Sequence, residues 1–179
     1  MATFTANSIQ LANGAKFVGT TNGLSDAPAG TIIQTAINGT TNNITANSDG
    51  SYADLLSLSF TPRQSNSKII FTIMFNAYYH NGSSGTSQGA SYRLLRDSTS
   101  IKEGDWCFYL HHSQYPRDFY PTVSTFGFDE PGGTSAITYK LQGRKYDGNS
   151  ARFATQFGEA QNSSVVGDTI VIKLEELSV

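Results

Sequence analysis

The segment Ser51–Tyr79, SYADLLSLSFTPRQSNSKIIFTIMFNAYY, limits the possible folds more than any other stretch of the chain. In its second half Ile69, Phe71, Ile73, Phe75, Ala77 and Tyr79 recur at every second position. Thr72, Asn76 and His80 share the opposite face with Ile70, Met74 and Tyr78. Successive side chains of an extended chain point to opposite faces, so this pattern predicts a long strand with a fully apolar inner face. In the first half Leu56, Leu58 and Phe60 alternate with Ser57, Ser59 and Thr61. Pro62, which has no ladder donor, ends that run. The polar break Arg63–Ser67 is long enough to turn the chain, and the simple expectation is two adjacent antiparallel strands.

The remaining chain repeats the pattern. Thr31–Ile37 reads as a first strand, and Asn38–Gly50 as a polar loop with a weak edge strand at Ile44. His80–Ala90 is a Gly/Ser loop. Tyr92–Leu95 and Ile101–Glu103 read as strands joined by a tight turn at Arg96–Ser98, and Trp106–Leu110 as another short strand. His111–Pro121, bounded by prolines, reads as a surface loop. Val123–Phe128, Ala136–Gly143, Ala151–Phe157 and Thr169–Leu177 complete the set, with Ile170, Ile172 and Leu174 facing one way and Lys173 and Glu175 the other. About nine short strands and no amphipathic helix, in a chain rich in Gly, Ser, Thr and Asn, predict an all-β protein, a β-sandwich of jelly-roll type.

Charged residues are 15% of the 179 and the net charge is −2, so no basic surface points to nucleic acid. Cys107 is the single cysteine, which excludes an intrachain disulfide; between Trp106 and Phe108 it reads as a small core residue. The first residues lack the basic and apolar regions of a secretory signal, and no apolar run approaches the ~20 residues of a membrane span. Synthesis in a host cytoplasm is expected. Met1–Gly30 carries scattered apolar residues, Ile9, Leu11, Phe17, Val18 and Leu24, between glycine turns. Such a segment cannot bury enough surface to fold alone. It reads as an extended attachment arm ordered against another chain, with a disordered tail as the alternative, and Thr31–Val179 as the sandwich domain.

Four phrases in order carry a resemblance: SYADLLSLSFTPRQSNSKIIF, SYRLLRDSTSI, FGFDEPGGTSAITYKLQGR and TIVIKLEEL. Together they resemble a family of virion proteins of tailed bacteriophages, especially those of marine and cyanobacterial hosts. The resemblance spans Thr31 to Leu177 and is most specific over Asp129–Lys140. Lys16–Gly30, KFVGTTNGLSDAPAG, is similar to the Phe-x-Gly-x-x-x-Gly-Leu repeats of trimeric fibre shafts. The resemblance implies an external virion component, either a short fibre or a capsid decoration (cement) protein. It also implies a trimeric jelly roll similar to tumour-necrosis-factor-like heads. It transfers no catalytic residue.

Many aromatics, few charges and neither disulfide nor metal also fit an oligomer that gains by burying a face between subunits, and the resemblance implies that this oligomer is a homotrimer. The face with Ile70, Met74 and Tyr78 is a candidate interface, or else the other side of the sandwich core.

His111-His112 is a poor metal signal, because neighbours in a strand point apart, and His80 has no partner spacing. Asp129-Glu130 are adjacent rather than facing across a groove, as glycosidase carboxylates must; beside Pro131 and two glycines they read as turn residues. No nucleophile elbow, phosphate loop or cysteine pair occurs. No catalytic, metal or cofactor residue is therefore expected, and a polysaccharide-degrading tail enzyme has no support in the residues. The candidate receptor contact is the His111–Pro121 loop, whose Tyr115, Phe119 and Tyr120 with Arg117 and Asp118 suit stacking on sugar faces. The same aromatics could instead pack between subunits or under the loop. The sequence thus predicts a non-enzymatic virion structural protein bound to other virion proteins through the arm. The alternative is a tail-fibre module that binds a host glycan.

Overall fold

The computed structural model describes residues 8–10, 16–18, 27–40, 44–46, 51–81, 87–111, 117–119, 121–146, 151–152 and 170–179. All regular structure among them is β. The strands are β1 (Ser8–Gln10), β2 (Lys16–Val18), β3 (Ile32–Thr40), β4 (Thr45–Ala46), β5 (Ala53–Phe60), β6 (Lys68–Asn76) and β7 (Tyr78–Asn81). They continue with β8 (Ser87–Arg96), β9 (Thr99–His111), β10 (Arg117–Phe119), β11 (Thr122–Asp129), β12 (Ile137–Tyr146), β13 (Ala151–Arg152) and β14 (Ile170–Leu177).

The long strands form two four-stranded antiparallel sheets, β11-β6-β14-β3 and β5-β12-β8-β9. The pairing follows one rule. Among long strands the first pairs with the last (β3 with β14), the second with the second-last (β5 with β12), then β6 with β11 and β8 with β9. A long antiparallel ladder wound once around itself has this order, which is that of a jelly roll. A smaller sheet, β10-β7-β13-β4, repeats the strand order of the first sheet, with β7 following β6 and β10 preceding β11.

The alternation read from Ser51–Tyr79 holds: Ile69, Phe71, Ile73, Phe75 and Ala77 are all buried. They meet Phe60 and Leu55 of β5, Tyr92 and Leu94 of β8, Ile137, Tyr139 and Leu141 of β12, and Ile170, Ile172 and Leu174 of β14 in one core cluster. Phe75 and Tyr92 touch edge to face across the sandwich, with centroids 5.6 Å apart. Leu55 joins the core because a bulge at Leu141/Gln142 leaves it without an opposite residue and swings it inward.

Several boundaries differ from expectation. β5 and β6 do not pair; they lie in opposite sheets. Each has an apolar inner face; β5 packs over β3 and β14 while β6 faces β8, so a strand of the opposite sheet covers each. β3 runs on through Asn38–Thr40, because β14 offers partners as far as Ile170. The strand segments expected at Ile101–Glu103 and Trp106–Leu110 belong to one strand, β9. Of Ala151–Phe157 only Ala151–Arg152 lies among the described residues.

Two glycines are demanded by contact. A Cβ at Gly127 would meet the Phe71 ring at 2.4 Å, and one at Gly104 would meet the Tyr92 ring at 2.1 Å. Gly127→Ala should therefore destabilise the domain by about 1–3 kcal/mol through overpacking. Gly133→Ala, into open space, should leave it unchanged. Denaturant midpoints of the two variants check this directly.

Candidate functional site

Strand directions give the sandwich two poles. At one, the base, lie the ends of β3, β14, β6 and β11 nearest Ile32, Leu177, Lys68 and Asp129, which are brought level by the ladder registers. The chain enters the domain here. Gly30 N–H donates to the Ser178 carbonyl at 2.8 Å, Ser178 N–H to the Thr31 carbonyl at 3.0 Å, and the Ser178 hydroxyl to the Pro28 carbonyl. At the other pole, the tip, the chain leaves β7 at Asn81 and returns at Ser87, and leaves β9 at His111 and returns at Arg117.

The sequence-predicted site residues divide between these poles. Arg117, Asp118 and Phe119 form β10, which pairs with Asn81, His80 and Tyr79 of β7 and so extends the first sheet at the tip. Tyr115 and Tyr120 lie outside the described residues. Of the predicted arm, Ile9 pairs with Phe17, and Ser8 with Val18, in the hairpin β1–β2. Leu11 and Leu24 lie outside the described residues. His111 ends β9 and His80 lies in β7, while His112 lies outside the described residues. Among the described residues no group of three His, Cys, Asp or Glu is placed to hold a metal ion. Cys107 is half-buried against the core, with its thiol donating to the Ala90 carbonyl at 3.1 Å.

Asp129 is not an exposed turn residue. It ends β11 buried, accepting from the Arg96 guanidinium at 2.8 Å on Oδ1 and from the Tyr139 hydroxyl at 2.8 Å on Oδ2. Arg96 also reaches the Glu130 carbonyl at 3.2 Å, and the Glu130 carboxylate pairs with Lys68 at 3.2 Å. The same corner holds the β8–β9 turn. Asp97, at φ 52°, donates its N–H to the Thr138 carbonyl and accepts from Thr138 N–H on its own carboxylate. Arg96, Asp97, Pro131, Gly133, Ser135, Ala136 and Ile137 line an open cleft of about 270 Å³ there. On β14, buried Glu176 takes the Arg63 and Gln64 N–H groups on Oε1 at 2.8 and 3.0 Å, pinning the β5–β6 turn to the base. These groups close the base; none is a reactive pair.

The two outer faces differ in chemistry. On the second sheet, Arg93 donates to Gln142, Gln142 and Lys140 donate to Asp54, and Arg93 and Arg144 lie over the Tyr52 ring at 4.0 and 4.9 Å. The hydrogen bonds from Gln142 and then Lys140 hold the Asp54 carboxyl below its ordinary range. On the first sheet, Phe126, Phe128, Met74, Ile37 and Ile32 are exposed. Ile70 is half-buried on that side, opposite Phe128, so the face carrying Ile70 and Met74 is not core.

No family model and no curated protein sequence matches the chain. Solved structures that match include one of the Gx strain of infectious bursal disease virus, at TM-score 0.34 and 12% identity over 82% of this chain and 43% of that one. A second is the VP2 subviral particle of that virus, at TM-score 0.34 and 9% identity over 83% of this chain and 39% of that one. A third is the latent PorU dimer of Porphyromonas gingivalis, at TM-score 0.32 and 10% identity over 89% of this chain and 14% of that one. The chain spans less than half the length of each, and at this level of likeness they identify neither its family nor its function.

The Asp129 cluster yields two expectations. Asp129→Ala, which strands a mostly buried guanidinium and a buried hydroxyl, should cost about 2–4 kcal/mol, and Tyr139→Phe about 1–2 kcal/mol, by denaturant unfolding. Burial first, and then Asp129, push the Tyr139 hydroxyl far above its ordinary pKa of 10.0. A raised folded pKa means that stability is intact below the unfolded value and falls as the unfolded chain ionises. Native stability should therefore decline above about pH 10, and less steeply in Tyr139→Phe, as read by melting temperature against pH.

Proposed function

We propose that this chain is a non-enzymatic structural protein displayed on the surface of a tailed-phage virion, as a short fibre or a capsid decoration protein. One observation carries the reading: residues 28–31 join the sandwich at the base, and Arg117–Phe119 lie at the opposite pole, paired with β7. A module held by its arm on a particle presents its far pole outward, and this chain is built with that polarity. The resemblance of Thr31–Leu177 to phage virion proteins, and of Lys16–Gly30 to fibre-shaft repeats, supports the same reading.

In this reading the arm attaches to neighbouring capsid or tail subunits and the sandwich stands off the surface. A second reading, a host-glycan adsorption module, is favoured by one feature. The segment Arg117–Phe119 is fixed as an added strand, so a recognition loop there has a rigid support.

Deleting residues 1–26 should leave a folded domain that no longer attaches to particles. The deletion stops short of Pro28 because residues 28–30 are bonded to Ser178 and belong to the base. A truncated protein that still attached would move the docking surface onto the sandwich. Electron cryo-microscopy of the virion separates shell from tail placement. Saturable glycan binding, lost in Tyr115→Ala and Tyr120→Ala with the fold retained, would establish the second reading.

A further inference from the structure

Residues 28–31 run without a break into β3, the edge strand of the first sheet, and β3 lies against β14 over eight register positions, from Thr40–Ile170 to Ile32–Leu177. β14 lies in turn between β3 and β6, and β6 leads on to β7 at the tip. β3 starts at the base. A pull between residue 28 and the tip therefore acts along the strand axes, drawing β3 one way and β6 the other. Ser178, which follows β14, lies at the base beside Gly30 and Thr31. A pull between residue 28 and Ser178 acts across the strands instead, at one end of the ladder.

We infer that β3 is a force-bearing anchor, so that the domain resists in shear a load carried from its N-terminal segment to the tip, and peels open under a load between its N-terminal and C-terminal segments. Inter-strand hydrogen bonds of an antiparallel pair are perpendicular to the strands. Under shear they share the load, and β3 slides along β14 when many break together. In a peel the load falls on the bonds nearest the pulled ends, and they give way in turn. The first of these are Gly30 N–H to the Ser178 carbonyl and Ser178 N–H to the Thr31 carbonyl, at 2.8 and 3.0 Å.

Two further features oppose sliding of β3. The bulge at Glu176/Leu177 leaves Ile33 without an opposite residue, and Ile33 is buried. A bulge of this kind pins register. Side chains also tie β3 to the second sheet and its turn: Asn38 donates to the Ser57 carbonyl at 2.8 Å, and Arg63 Nε donates to Gln34 Oε1 at 2.8 Å. Glu176, opposite Gln34 in register, holds that same turn by the Arg63 and Gln64 amides. A sliding β3 must break these ties together with the ladder, whereas a peel meets them one after another. That such a load arises on the molecule rests on the proposed attachment through the N-terminal segment; the directional strength itself does not.

The test is single-molecule force spectroscopy on the full chain. Handles at the N-terminus and at Asn81→Cys, in a Cys107→Ser background, load the base against the tip. Handles at the two termini load the peel. The main unfolding event should need a several-fold higher force in the first geometry. His111→Cys, also at the tip, is the second tip handle should Asn81→Cys not fold. Asn38→Ala should lower the base-to-tip force and leave the force that starts the peel unchanged, because the peel starts at Gly30 and Ser178. Equal forces in the two geometries, a higher force between the termini, or an Asn38→Ala effect confined to the peel would each overturn the inference. A domain with this directional strength that never attaches to particles would keep the inference and remove the attachment reading; an attached domain without it would do the reverse.

Discussion

The domain depends on burying one uninterrupted apolar face, that of β6. Ile69, Phe71, Ile73, Phe75 and Ala77 are all in the core, and β6 sits between β11 and β14 so that both neighbours extend the same covered surface. A strand with so much apolar area on one side needs an entire second sheet opposite it, and across the core it meets β8, where the Phe75 and Tyr92 rings touch. At the base, the turn from β5 into β6 is held by Glu176, whose carboxylate accepts the Arg63 and Gln64 amides. The β3 edge is stitched to β5 in a similar way, Asn38 donating to the Ser57 carbonyl at 2.8 Å and Gln34 to the Thr61 carbonyl.

That constraint fixes what faces outward on β11. The Phe71 ring fills the space over Gly127, so glycine is the inward residue and its neighbours Phe126 and Phe128 point to solvent. The same parity carries Asp129 inward, where Arg96 and Tyr139 satisfy both carboxylate oxygens. One packing choice thus links three things: an overpacking-sensitive glycine, a buried charge cluster and an exposed aromatic edge whose Phe128 carries the Lys68 ammonium over its ring. The sandwich closes its base with hydrogen bonds and leaves one flank apolar, and surfaces of those two kinds do different work.

The strand alternation of Lys68–Asn76 and Ile170–Leu177 was legible because each strand has one face in the core and one outside, which writes itself as period two. β9 was not legible as one strand. Gly104 and Asp105 interrupt its pattern, and the glycine is there because Tyr92 lies against it. Asp129 was misread for a related reason: Pro131 and the following glycines are true turn signals, but a residue two positions earlier was already inside. Arg117–Phe119 reads as loop in the sequence, and no local pattern there shows that it adds a strand to β7.

By itself the sequence determined the all-β class and the identity of the core strands, because each follows from local alternation and composition. Only the tertiary structure decided that β5 and β6 lie in opposite sheets, that residues 28–31 and Arg117–Phe119 lie at opposite poles, and that Phe126 and Phe128 are exposed. Those facts depend on which strands pair and which ring fills which space. Such contacts join residues far apart in the chain, and no local pattern records them.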